Sequence, residues 1–177
     1  MTSHDPIIAA VAADDPRILR LVRDLDADLA ARYPEEPCTG GAHIHPAIRF
    51  LLAEVDHRPV GCCAVQPFPS PDTAAELKRM YVAPQARGRG IAARLLAQAE
   101  HTATALGHGE MRLETAVHQP EAIALYTRAG YTPIPNYPPY QDKTLSRCYA
   151  KPLSLPEARP EDGEELTAFL AGQDLSP

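Results

Sequence analysis

Apolar residues recur along this chain with two periods, near two and near 3.6, and the switches between them divide it into predicted strands and helices. The run IIAAVA at 7–12 reads as a first strand. In DDPRILRLVRDLDADLAARYP, Ile18, Val22, Leu25 and Leu29 share one helical face, with Asp15 at the N-cap and Pro16 at the first helical position. EEPCTGGAHIHP at 35–46 has no period and reads as loop. AIRFLLAEV at 47–55 and VGCCAVQPF at 60–68 flank DHRP, which predicts a hairpin. AAELKRMYV at 74–82 is a further strand whose alternation breaks. Leu77 and Tyr81 hold one phase, Arg79 interrupts it, and Met80 and Val82 hold the other. Such a break predicts a bulge or twist late in the strand.

Ile91, Leu95, Ala99, Ala103 and Leu106 give the inner face of the next helix, which Gly107 is placed to end. MRLETAV at 111–117 alternates as a strand, and QPEAIALYTRAGY at 119–131 reads as a short helix between Pro120 and Gly130. TPIPNYPPY reads as loop, and LSRCYAKPL at 145–153 as a last strand. This order implies an α/β fold in which helices cover one mixed sheet. Residues 1–153 form the expected domain. Residues 154–177 are an acidic, proline-bounded tail, loosely held or with one short helix through Leu166, Phe169 and Leu170.

Composition narrows the function classes. The 177 residues are 45% hydrophobic and 23% charged, ordinary values for one soluble domain with a proper core. No apolar run reaches the roughly 18 residues of a spanning helix. The start MTSHDPIIAAV lacks the basic flank and long apolar stretch of a signal peptide, so the expectation is cytoplasmic, with no membrane partner. A net charge of −6 argues against nucleic acid as a partner. Cys38, Cys62, Cys63 and Cys148 show no metal-ligand spacing, and His43 and His45 have no third ligand beside them. No metal is expected, and Cys62 and Cys63 read as core.

The chemistry gathers in MYVAPQARGRGIAARLLAQAE at 80–100, where a strand hands over to a helix. Free backbone N–H groups and the helix dipole make such a junction attractive to anions. Glycine at 88 and 90 lets an anion approach the backbone, and Arg87 and Arg89 add charge-assisted hydrogen bonds. The stretch looks built for a pyrophosphate. Neither GxxxxGK[ST] nor GxGxxG is present, because Ala93 stands where the last glycine of the second pattern would fall.

Gln85-x-x-Gly88-x-Gly90, set between a strand and an amphipathic helix, resembles the hallmark loop of the GNAT superfamily of acetyl-CoA-dependent N-acyltransferases. QPEAIALYTRAGY resembles the family's next helix, with Tyr126 matching a tyrosine often found near its end. Where many relatives carry an asparagine just before this stretch, the chain has His118.

The resemblance implies a mixed, mostly antiparallel central sheet flanked by helices, with a splayed parallel strand pair. It implies that Met80, Tyr81 and Val82 pair with the pantetheine arm of acetyl-CoA, and that Arg87, Gly88, Arg89, Gly90, Ile91 and Ala92 hold the pyrophosphate. It further implies direct attack by a primary amine in a ternary complex, with Tyr126 as the acid for the departing thiolate and a strand N–H near Val82 polarising the carbonyl. The base is Glu76 in this reading, with Glu114, His118 or water as rivals. The expected acceptor is a small or amino-acid-like amine, met by the first helix, the 35–46 loop and IPNYPPYQD, where Glu35, Glu36 and Asp142 attract a cation. Two alternatives stand beside it: a cofactor-binding sensor without efficient catalysis, and an acetyltransferase for protein lysines or N-termini. An RNA-contacting use of RGRG ranks last, and a homodimer is compatible with the reading.

Overall fold

In a computed structural model the described residues are 5–34, 44–69 and 73–155. Their elements run β1 (Ile7–Val11), α1 (Pro16–Arg32), β2 (Arg49–Val55), β3 (Arg58–Pro67), β4 (Ala74–Val82), a single 3-10 turn (Pro84–Ala86), α2 (Ile91–Ala105), β5 (Glu110–Ala116), α3 (Pro120–Arg128), β6 (Thr132–Ile134) and β7 (Ser146–Pro152). Cys38, His43, Glu35, Glu36 and the expected tail helix lie outside the described residues.

The sequence signals for these elements act through their local chemistry. Asp15 caps α1 by accepting from the Arg17 backbone N–H at 2.9 Å and from the Arg17 guanidinium. The guanidinium, then the backbone hydrogen bond, holds the Asp15 carboxyl down at about 2. Between β2 and β3 the chain turns on Asp56 and His57, both at positive φ, the conformation that suits a tight hairpin.

The strands form one sheet in the order β1-β2-β3-β4-β5-β7-β6. Every pair is antiparallel except β4 with β5. On one face α2 and α3 bury Leu95, Leu96, Ala99 and Tyr126 against Leu77, Met111 and Leu113. On the other, α1 buries Ile18, Leu21 and Leu25 against Phe50, Leu52, Cys62 and Tyr81. Cys62 and Cys63 point to opposite faces, as adjacent strand residues must, and both are fully buried. Burial pushes the Cys62 thiol up to about 12 and raises Cys63 as well, so neither is an available thiolate. Gly61 lets α2 sit close: a Cβ there would lie 2.8 Å from the Tyr81 carbonyl oxygen and 3.2 Å from Leu95.

Two features of the sheet shape the site. The register between β3 and β4 slips between Cys62 and Ala64, and Arg79 there has φ of 56°. The extra residue is the bulge that the broken alternation predicted. Leu77, Met80 and Val82 come to lie with the α2–α3 core, while Tyr81 turns to α1. The parallel pairing of β4 with β5 stops at Leu77↔Leu113, although β4 runs on to Val82 and β5 to Ala116. The two strands therefore part.

Two expectations are corrected. The segment read as loop after α3 contains β6, whose Thr132–Ile134 pairs with β7 from Ala150 to Cys148. It is too short and proline-bearing to show a period, and pairing with β7 alone makes it a strand. Leu106 is not on the buried face of α2: it forms the C-cap and is 49% exposed. By period Leu106 falls in line with the buried stripe, but the helix ends at Ala105, and past that end the chain no longer holds the position inward.

Candidate active site

Where β4 and β5 part, a cleft of about 490 Å³ opens. Its floor is the β4 end, Met80, Tyr81 and Val82; one wall is α3, including Leu125 and Tyr126, and the other is α1, with Leu25, Asp28, Leu29 and Arg32. Arg87, Gly88, Gly90, Ile91 and Ala92 close one end. Eight of the nine residues expected to contact the cofactor thus meet in one cleft with Tyr126. Arg89 is exposed and does not line it.

The glycine loop follows from the backbone. Gly88 and Gly90 have φ of 75° and 76°, a region costly to residues with a Cβ. A Cβ at either would meet nothing within 4 Å, so conformation rather than crowding selects glycine and the approach stays open. Gly90 is the N-cap of α2 and offers no side-chain cap, leaving the first N–H groups of the helix for an anion. The loop pattern can also be laid two residues later, as Arg87-x-x-Gly90-x-Ala92, which centres it on this helix start. Arg87 itself folds back: Nε donates to the Val82 carbonyl at 2.9 Å and Nη2 meets Asp28 at 3.3 Å.

Tyr126 is 4% exposed and packs edge-on to Tyr131. Burial first, then Cys63 and Glu114, pushes its hydroxyl well above the usual tyrosine range. The group is protonated at neutral pH, which a proton donor requires.

Glu76, Glu114 and His118 do not line this cleft. Glu76 is buried on β4 and accepts from Gln66 Nε2 at 3.1 Å and from the Tyr137 hydroxyl at 3.1 Å, and it pairs with Lys78 at 2.9 Å. Lys78 also donates to the Tyr140 hydroxyl at 2.6 Å. Burial works to lower the Lys78 pKa, but Glu76 and Tyr140 outweigh it and the net shift is upward. Tyr137 and Tyr140 belong to the β6–β7 connection, fastened further by Asn136 Nδ2 on the carbonyls of Tyr140, Lys143 and Ser146. Phe68 meets Tyr137 edge-on at 4.8 Å. Nothing in IPNYPPYQD announces this clasp except its two tyrosines.

Glu114 is the next β5 residue after the last parallel pair. It accepts from Ser146 Oγ at 2.6 Å, and burial raises its pKa against the opposing pull of Ser146 and Lys78. His118 is exposed; its N–H donates to the Tyr33 hydroxyl at 3.2 Å and its ring lies 5.4 Å from that of Tyr33. His45 is used locally, its Nδ1 accepting from the Ala47 N–H at 3.0 Å. Among the described residues no cluster of His, Cys, Asp or Glu is placed to hold a metal, and no helix is long and apolar enough to cross a membrane.

The first helix was expected beside the acceptor, but which of its residues line the cleft was not. Their signal was the Asp28, Arg32 spacing of four, which reads as an ordinary surface pair until α1 is seen as a wall.

The arrangement has known counterparts. Residues 16–131 match the sequence profile of the Acetyltransferase (GNAT) family. The chain is 36% identical over 143 residues to the IAA acetyltransferase of Azospirillum brasilense, covering 77% of this chain and 90% of the relative. A solved structure from Klebsiella pneumoniae, assigned to the acyl-CoA N-acyltransferases, superposes with a TM-score of 0.71 at 34% identity, covering 84% of this chain and 98% of that one. The ribosomal-protein-S18-alanine N-acetyltransferase of Escherichia coli shares the fold, with a TM-score of 0.63 at 17% identity, covering 86% and 96% of the two chains. The parted parallel strands, the glycine loop at the start of α2 and these likenesses together place the chain in the GNAT family of acetyl-CoA-dependent acyltransferases.

Proposed function

We propose that the chain transfers an acetyl group to the primary amine of a small acceptor by direct attack in a ternary complex. The observation that carries this reading is the placement of proton-handling groups around one branch point. Tyr126 stands in the cleft wall, and Glu114 sits on β5 just past the point where the strands part. Acetyl-CoA supplies the activated thioester. The N–H groups of Ile91 and Ala92 hold its diphosphate, and the β4 backbone from Met80 to Val82 pairs with the arm as an added strand would. The amine nitrogen bonds to the acetyl carbon as the carbon–sulfur bond breaks. Tyr126 gives its proton to the sulfur, and a base takes one from the amine.

The resemblance points to Glu76 as that base, but its three partners weigh against a free lone pair. Glu114 has one serine partner among the described contacts and a raised pKa, so it holds a proton more readily than an ordinary carboxylate does. We assign Glu114 the proton and Glu76 the support of Lys78 and the tyrosine clasp. A small acceptor fits the fastened β6–β7 connection better than a polypeptide does, because Tyr137 and Tyr140 are themselves buried and hydrogen-bonded to Glu76 and Lys78 of β4. An amine library assayed for CoA release tests the proposal. Release with peptides alone would move the acceptor to proteins, and binding of acetyl-CoA without turnover on any amine would leave a sensor.

A further inference from the structure

The α1 wall carries charge that this chemistry does not use. Asp28 is shared by two guanidinium groups, Arg32 Nε at 3.4 Å and Arg87 Nη2 at 3.3 Å. Arg32 continues to Glu121 on α3. All four line the cleft. Arg87 precedes Gly88, at the end of the cleft where the first N–H groups of α2 are free. Its Nε holds the Val82 carbonyl, and its guanidinium lies 5.7 Å from the centre of the Tyr81 ring. A diphosphate at that end and the Asp28 carboxylate are therefore alternative anions for one cation.

We propose that Asp28 is a positioning residue acting through Arg87: it is a built-in counter-anion, and acetyl-CoA binds by exchanging its diphosphate for the Asp28 carboxylate. The inference rests on the acetyl-CoA reading of the cleft. Its sign is unusual for a cleft residue. Neutralising Asp28 releases Arg87 in advance and tightens binding. Both groups are about a third exposed, with side-chain exposures of 39% for Arg87 and 31% for Asp28, so the pair is screened. The expected gain is about two- to fivefold, the range of a partly exposed ion pair.

The test is calorimetric titration of acetyl-CoA into the full chain and its Asp28→Asn, Asp28→Ser, Asp28→Glu, Arg87→Gln and Asp28→Asn/Arg87→Gln variants, with steady-state kinetics. Both Asp28 variants are expected to lower Kd about two- to fivefold. The change falls on KM for acetyl-CoA more than on kcat. Arg87→Gln weakens binding, the double variant shows no gain over it, and Asp28→Glu returns the wild-type value. An unchanged or raised Kd in both neutral variants overturns the exchange. So does a gain that persists without Arg87, which would mean simple repulsion by Asp28. Failure of the wild-type chain to bind acetyl-CoA would remove the cofactor reading itself, a result distinct from either.

Discussion

On the proposed mechanism, Tyr126 is the residue on which the chemistry turns. Tyr126→Phe keeps the ring in the wall of the cleft and removes the proton. Turnover is expected to fall by roughly 10²–10⁴, the range for a positioned general acid. Acetyl-CoA affinity should barely change. A binding titration beside the kinetics separates loss of chemistry from loss of binding, and near-normal turnover would leave solvent as the donor. Glu114 gives a pH signature. Its folded pKa is raised by burial, so it loses its proton later on the pH scale than an ordinary carboxyl does. The acid limb of kcat/KM should lie above the usual carboxylate range, and Glu114→Gln should abolish it, whereas Glu76→Gln should keep the limb. Linkage gives the matching stability sign. A raised carboxyl pKa stabilises the fold below the unfolded value, and that contribution is lost as pH rises through the folded value. Glu114→Gln should therefore gain relative to wild type in melts at pH 7 and lose that gain near pH 4.

At the scale of elements, the site depends on two interruptions of regular structure. The bulge at Arg79 rotates the end of β4, and the Arg79 guanidinium ties that end to Asp26 of α1 at 3.0 Å. The left-handed Gly90 sets α2 at the mouth of the cleft. Gly90→Val should cost roughly 1–2 kcal/mol, the strain of a Cβ in this region, with more for a branched side chain. It should also remove the melting shift caused by acetyl-CoA, because the side chain covers the helix start. Retention of that shift, read by thermal melts with and without ligand, would show that the anion is held elsewhere.

For the whole molecule, cofactor binding should act as a stabiliser by mass action. At a hundredfold excess over Kd, acetyl-CoA should add about 2.7 kcal/mol to unfolding, a clear rise in Tm. No shift with acetyl-CoA or CoA would contradict a working cleft in this chain. Much of this was legible beforehand. The glycine loop carries a local backbone demand, Tyr126 follows in a periodic helix, and the broken alternation of LKRMYV marks the bulge. That the first helix meets the site was expected, but which of its residues form the cleft wall was not legible. Asp28 and Arg32 sit far from the loop in sequence, and only the parting of β4 from β5 lets α1 and α3 face one another.

By itself the sequence determined most of the alternation of elements, the glycine turn at the start of α2 and the family, because these rest on periods, caps and φ preferences that each segment carries alone. Tertiary structure decided the partners. The fold gives Arg87 two partners that no segment announces alone, Asp28 and the Val82 carbonyl. Glu76, which the resemblance implied as base with Glu114, His118 or water as rivals, is held among Gln66, Lys78 and Tyr137. Thr132–Ile134 became a strand only beside β7. The physical reason is common to all three. A charge or an unpaired backbone group takes the nearest complementary partner in space, and only the folded chain determines which partner that is.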